Sequence, residues 1–122
     1  MALPATDPRA ALPLSNAAFA ILLALADGDR HGYGVSKEVE AQTDGAVTLG
    51  PGTLYRVIKQ LLSDGWIAEV RDPAGDDDER RRTYRLTPWG RRIAEAEARR
   101  LADLVIVART RHLLPANVFA PA

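Results

Sequence analysis

The sequence predicts a mainly α-helical domain with one small β-hairpin. Three apolar-periodic segments, each framed by residues that start or stop helices, occupy the chain up to Gly65. Two short alternating runs then flank the acidic stretch DPAGDDDE, and one helical pattern follows from Thr87-Pro88 to about Leu113. With 122 residues, 47% hydrophobic and 26% charged, the chain suits one globular domain with a modest core.

Residues 1–13, MALPATDPRAALP, hold three prolines and no continuous apolar core. They fail as a secretory signal and are expected to form a flexible arm. Ser15 is placed to cap a first helix running to about Ala26, with Leu14 stapled onto Phe19. Ala17, Phe19, Ala20, Ile21, Leu22, Leu23 and Leu25 surround its axis, so it should be covered on more than one side. So short a chain has little to cover it with, which points to a partner chain.

After the Asp27-Gly28 turn, Tyr33, Val35, Val39 and Gln42 fall near one face of a second helix, about Gly32 to Thr43, which Gly45 is placed to stop at C′. Gly50 as N-cap, Pro51 at the first helical position and Gly65 at C′ frame a third helix, Pro51 to Asp64. In the first alternating run Trp66, Ala68 and Val70 lie opposite Ile67, Glu69 and Arg71. In the second, Arg82, Tyr84 and Leu86 lie opposite Arg81, Thr83 and Arg85. These are the two strands of the hairpin.

Thr87 and Pro88 start the last helix, in which Trp89, Ile93, Ala96, Leu101, Leu104, Val105 and Ala108 recur at helical spacing. At roughly 26 residues and about 39 Å it is too long and too apolar to stand alone. The tail 115–122 is expected to be loose.

Three helices, a hairpin and a long helix make a winged helix-turn-helix with an added C-terminal dimerisation helix. The expected division is arm 1–13, winged helix 14–87, dimerisation helix 88–114 and tail 115–122. On the third helix, Leu54, Val57, Ile58, Leu61 and Leu62 gather on one side, while Gly52, Thr53, Arg56, Lys59, Gln60 and Ser63 take the other. Such a helix can anchor through its apolar side and present Arg56 and Gln60 to base edges in a major groove, with Lys59 and Thr53 at phosphates and Tyr55, on the border, either donating its hydroxyl to a phosphate or packing against the second helix. Gly52 would let the helix start approach a phosphate closely. Arg80, Arg81 and Arg82 at the hairpin offer a second cationic contact point for duplex DNA, but five acids in 72–79 are expected to keep the wing tip itself out of a minor groove, so these arginines either contact phosphate or pair with those acids.

Other chemistries find little support. No cysteine is present, which removes disulfides, thiolate nucleophiles and sulfur metal sites and suits a cytoplasmic setting. Asp76 to Glu79 lack the ligand spacing of a calcium loop, and His31 and His112 lack zinc-spaced partners. GPGT lacks the Lys-Ser or Lys-Thr of a phosphate loop, so neither an enzyme nor a cofactor is expected. No apolar run reaches the roughly 20 residues of a membrane span.

The segments HGYGVSKEVE, GPGTLYRVIKQLLSDGWI and TYRLTPWGRR, in this order and spacing, resemble the PadR family of bacterial transcriptional regulators over about Leu14 to Leu113. The resemblance implies a homodimeric winged-helix repressor whose C-terminal helix packs on the partner, in the subgroup with a short C-terminal region. It also implies a small aromatic or cationic effector. Candidates for the effector and dimer surface are Phe19, Leu22, Leu23, Trp89, Leu101, Leu104, Val105 and Ala108, all of which core packing could equally explain. Gly50, where Ser is common in the family, Gly34, and the acidic wing tip depart from the family pattern. Two rival uses of the same frame remain: a protein-interaction module, and a small-molecule sensor that does not bind an operator.

Overall fold

The computed structural model describes residues 3–70, 82–115 and 117–118. Its elements are α1 (Asn16–Leu25), β1 (Arg30–His31), α2 (Gly32–Gln42), α3 (Pro51–Ser63), β2 (Ile67–Val70), β3 (Thr83–Leu86) and α4 (Pro88–Thr110). The three strands form one antiparallel sheet in the order β1-β3-β2.

Local chemistry sets most of the helix ends. Ser15 Oγ accepts the Ala18 N–H at 3.1 Å and starts α1. Thr87 Oγ1 accepts the Gly90 N–H at 3.0 Å and starts α4, with Pro88 at the first helical position. Gly65, at φ +77°, ends α3 through paired turns in which its own N–H bonds Leu62 O at 3.1 Å and that of Trp66 bonds Leu61 O at 3.0 Å.

The second helix stops one residue earlier than its glycine suggested. Asp44 takes the left-handed C′ position at φ +50°, and Gly45 follows at φ +79° with its N–H on Glu40 O at 2.8 Å. Asp tolerates this conformation better than most residues with a side chain. The last helix ends at Thr110, where His112 adopts φ +62°, short of the expected Leu113.

Ile21, Leu22, Ala24 and Leu25 of α1 form the centre of the core. Val35 and Val39 of α2, Leu54, Val57, Ile58 and Leu61 of α3, Ile67 and Tyr84 of the sheet, and Ile93 of α4 close around them. Each fully buried aliphatic side chain contributes about 1.5–3 kcal/mol. Within β2 the inward face is that of Ile67, not that of Ala68 and Val70. The register pairs Ile67 with Leu86 and Glu69 with Tyr84, so Ile67 shares the face of buried Tyr84.

Further expectations are corrected. The hairpin gains a third strand, because Arg30 and His31 pair with Tyr84 and Thr83. Two residues are too few to give a periodic signal. Tyr33 stands 59% exposed and does not pack with Val35 and Val39. It lies two residues, or about 200°, from Val35 around the helix. Gln42, exposed, meets α1 through its amide, which donates to Ala20 O at 3.1 Å.

The segment expected as a flexible arm is instead anchored over part of its length. Asp7 caps a short 3₁₀ turn at Pro8–Ala11 that lies against α4, and Ala11, Leu12 and Leu14 pack on the core. Of the tail 115–122, only 115, 117 and 118 are among the described residues.

Candidate nucleic-acid interface

The α3 helix is held by its buried side and open on the other. Leu54, Val57, Ile58 and Leu61 are buried, whereas Gly52, Thr53, Arg56, Lys59, Gln60 and Ser63 are exposed, and Tyr55 is half-buried. The amphipathic split read from the sequence therefore places five of the expected contact residues together on one outward surface. A methyl group at Gly52 would meet nothing in the protein within 4 Å, so folding does not demand this glycine. What it leaves bare is the first turn of α3, where unpaired backbone N–H groups favour an anion.

The side chains on this face differ in how they are held. Gln60 Nε2 donates to Asp64 Oδ1 at 3.1 Å, which fixes the amide along the helix. Arg56 and Gln60 also flank a cleft shared with Pro13, Ser15 and Trp66, so the N-terminal segment borders the outer face of α3.

At the wing, Arg82 Nε lies 3.6 Å from Glu69 Oε1 on the neighbouring strand. Such a partly exposed pair contributes about 0–1 kcal/mol, little enough for a phosphate to displace the carboxylate. Arg80, Arg81 and the acidic tip lie outside the described residues.

The structure adds a pair that periodicity had hidden. Lys37 Nζ sits 5.3 Å from the centroid of the exposed Tyr33 ring. These residues are on α2, the first helix of the helix-turn-helix, whose N-terminus is tied to the wing strand. The Gly32 N–H donates to Arg82 O at 3.3 Å, and His31 Nδ1 lies 3.1 Å from Thr83 Oγ1. The i, i+4 spacing of a tyrosine and a lysine was a legible signal, since such pairs share one helix face.

A second surface lies between α1 and α4. Phe19 and Leu23 of α1, with Leu101, Val105 and Ile106 of α4, line an open and largely apolar groove. Leu23, Leu101, Leu104, Ile106 and Val107 are all exposed, more than a lone soluble chain usually leaves on one helix pair. Leu22 does not belong to this surface: it is fully buried in the protomer's own core and presents nothing to a partner. Successive residues of α1 point 100° apart, so Leu22 turns inward and Leu23 outward. Leu104 and Ala108 flank the groove without lining it. Trp89 is half-buried against the core with the Arg92 guanidinium 5.3 Å from its ring centroid. It stands about 13 Å along the helix from Ala98, where the groove begins. Ile106 and Val107 were not singled out from the sequence, because they fall off the stripe of Leu101, Leu104, Val105 and Ala108.

The fold and the outward polar face of α3 define the class, a winged-helix regulator. The chain belongs to the transcriptional regulator PadR-like family, whose model matches residues 21–96. It is 36% identical over 90 residues to an uncharacterized 37.1 kDa protein in transposon TN4556 of Streptomyces fradiae, an alignment covering 74% of this chain. The match spans only 24% of that relative's length. Among solved structures, a transcriptional regulator from Clostridium thermocellum is similar at 25% identity and a TM-score of 0.64, over 80% of this chain and 97% of that one. Bacillus subtilis PadR in complex with operator DNA is similar in fold at 22% identity and a TM-score of 0.52, over 73% of this chain and 46% of that one. The family is one of transcription regulators, not of enzymes. Among the described residues, no helix is long and apolar enough to cross a membrane.

Proposed function

We propose that the protein is a dimeric transcriptional repressor that reads an inverted-repeat operator and is released by a small-molecule effector. The observation that carries the DNA-reading part is the exposed set of Thr53, Arg56, Lys59 and Gln60 on a helix whose opposite face is locked into the core. Arg56 and Gln60 read base edges. Lys59, Thr53, Tyr55 and the Arg80 to Arg82 cluster contact phosphates. That PadR of Bacillus subtilis was solved on operator DNA supports the same use of this fold.

The groove between α1 and α4 is the dimer surface, and an effector seated there would alter the spacing of two recognition helices. Two such helices related by a two-fold axis enter successive major grooves about one helical turn apart. Repressor action and an aromatic or cationic effector follow the family resemblance. The arm, winged-helix and dimerisation-helix division of the chain belongs to the same reading, with residues 8–14 docked.

The test is fluorescence anisotropy of the purified chain on its own upstream DNA and on a shuffled duplex across a salt series. Selective binding whose log affinity falls linearly with log salt supports the reading and estimates the number of phosphates contacted. Equal weak binding to both duplexes, with and without candidate effectors, sinks it.

A further inference from the structure

The recognition helix and the long C-terminal helix meet at a joint with almost no slack. The Trp66 carbonyl, at the turn that ends α3, accepts from the Thr87 N–H at 3.1 Å and from Thr87 Oγ1 at 3.0 Å. The same hydroxyl lies 2.7 Å from Gly65 O, so it spans both carbonyls of that turn while accepting the Gly90 N–H. One threonine thus caps α4 and grips the end of α3.

Gly90 closes the joint sterically. A Cβ built there would stand 1.9 Å from Trp66 O, 2.7 Å from Trp66 C and 3.0 Å from Leu86 Cδ1. The first two are backbone atoms that cannot rotate away, so a single methyl forces α4 off the end of α3. Gly90 has ordinary helical surroundings within α4, and its requirement is for close approach rather than for an unusual backbone angle.

We propose that Thr87 and Gly90 are positioning residues for DNA recognition, setting the angle between α3 and α4 without touching DNA. The inference rests on the dimeric, operator-reading function proposed above. The apolar groove that would hold the partner is built from α1 and the far half of α4, so the orientation of α3 relative to the dimer axis is set along two routes, the packing of α1 on α3 and this joint at the start of α4. Leverage makes it sensitive: α4 is about 35 Å long, and a tilt of about 5° displaces its far end by about 3 Å. That is roughly the rise of one base pair, about 3.4 Å.

Two measurements on the full chain test this. In the first, spin labels on cysteines replacing exposed Ser63 and Asp103 report the α3–α4 distance within one chain; the absence of native cysteine makes the labels unique, and dilution with unlabelled protein removes signals between chains. Gly90→Ala and Thr87→Val should shift or broaden the distance by several ångströms, while Thr87→Ser should match wild type. In the second, binding is measured on the inverted repeat that wild type selects from random DNA, with the half-site spacing changed by one or two base pairs, and on an isolated half-site.

The two variants should lose about tenfold in discrimination between spacings, or move its optimum, with half-site binding unchanged and Thr87→Ser restoring the wild-type preference. Should Gly90→Ala fail to fold, the Thr87→Val and Thr87→Ser pair still decides. Unchanged label distances overturn the inference, as does a loss that is uniform across all spacings and equal on the half-site. If wild type selects no DNA at all, the operator-reading function fails, while the label distances still accept or reject the joint.

Discussion

The carboxylate of Glu97, on the long C-terminal helix, accepts the main-chain N–H of Leu14 at 2.7 Å across 83 positions of sequence. Glu97 is 1% exposed, yet both its oxygens are engaged, the second by Arg100 Nε one helical turn away. A buried carboxylate without such partners would be costly. Here it fastens the segment leading into α1 to α4, and so ties together the two helices that form the apolar groove.

Replacing Glu97 with Ala should destabilise the chain by about 1–3 kcal/mol, the cost of leaving the Leu14 N–H and its surroundings unsatisfied. The upper figures for broken buried ion pairs do not apply, because the Arg100 side chain is 35% exposed and its charge can reach water. Urea denaturation checks this, and an unchanged midpoint would mean that the docked segment contributes nothing to stability.

Acid should undo the same fastening. Hydrogen bonding to Arg100 is the main cause that holds Glu97 below the usual carboxylate range, opposed by burial and assisted by the Leu14 N–H. A depressed folded-state value means that the stabilisation is complete above the unfolded carboxylate range, about 4.3, and is lost as pH falls through the lower folded value. Asp7, lowered to about 2 chiefly by its hydrogen bond with Arg9, has the same sign. Comparing wild type with Glu97→Gln therefore isolates the buried group: the variant's melting temperature should fall less steeply below pH about 4.

Neighbouring leucines on α1 and α4 should separate stability from association. Leu22→Ala should cost about 2–5 kcal/mol in folding, because Leu22 is fully buried within one chain. Leu101→Glu, at the exposed groove, should leave the melt of the protomer nearly intact and shift sedimentation from dimer to monomer. A Leu101→Glu protein that sediments like wild type would remove the groove as the dimer surface.

On the outer face of α3, Arg56→Ala should cost about 1–3 kcal/mol on the operator and relax the choice of base at one position. Lys59→Ala should weaken binding to all sequences alike. Equal losses on cognate and random DNA for Arg56→Ala would count against base reading by that residue.

Lys37, exposed on α2 with its ammonium over the Tyr33 ring, should behave as a phosphate contact. Its replacement by Ala should reduce the slope of log affinity against log salt by about 1, with no change in sequence preference. A slope identical to wild type would leave the pair as surface packing only.

The sequence by itself determined the elements whose signals are local. Ser15, Thr87 and Gly65 act on groups within about one turn, and the spacing of Leu54, Val57, Ile58 and Leu61 orients α3 without reference to any other element. That is why the helix order and the outward set of Thr53, Arg56, Lys59 and Gln60 were legible in advance. Only the tertiary structure decided which of Leu22 and Leu23 turns inward, because α1 is apolar on all sides and carries no preference of its own. Only the tertiary structure made a strand of Arg30 and His31, gave Glu97 the distant N–H of Leu14, and set Gly90 against the Trp66 carbonyl. Each of these depends on a backbone group brought close by the packing of other elements, and a backbone group is the same at every residue, so no side-chain pattern marks it.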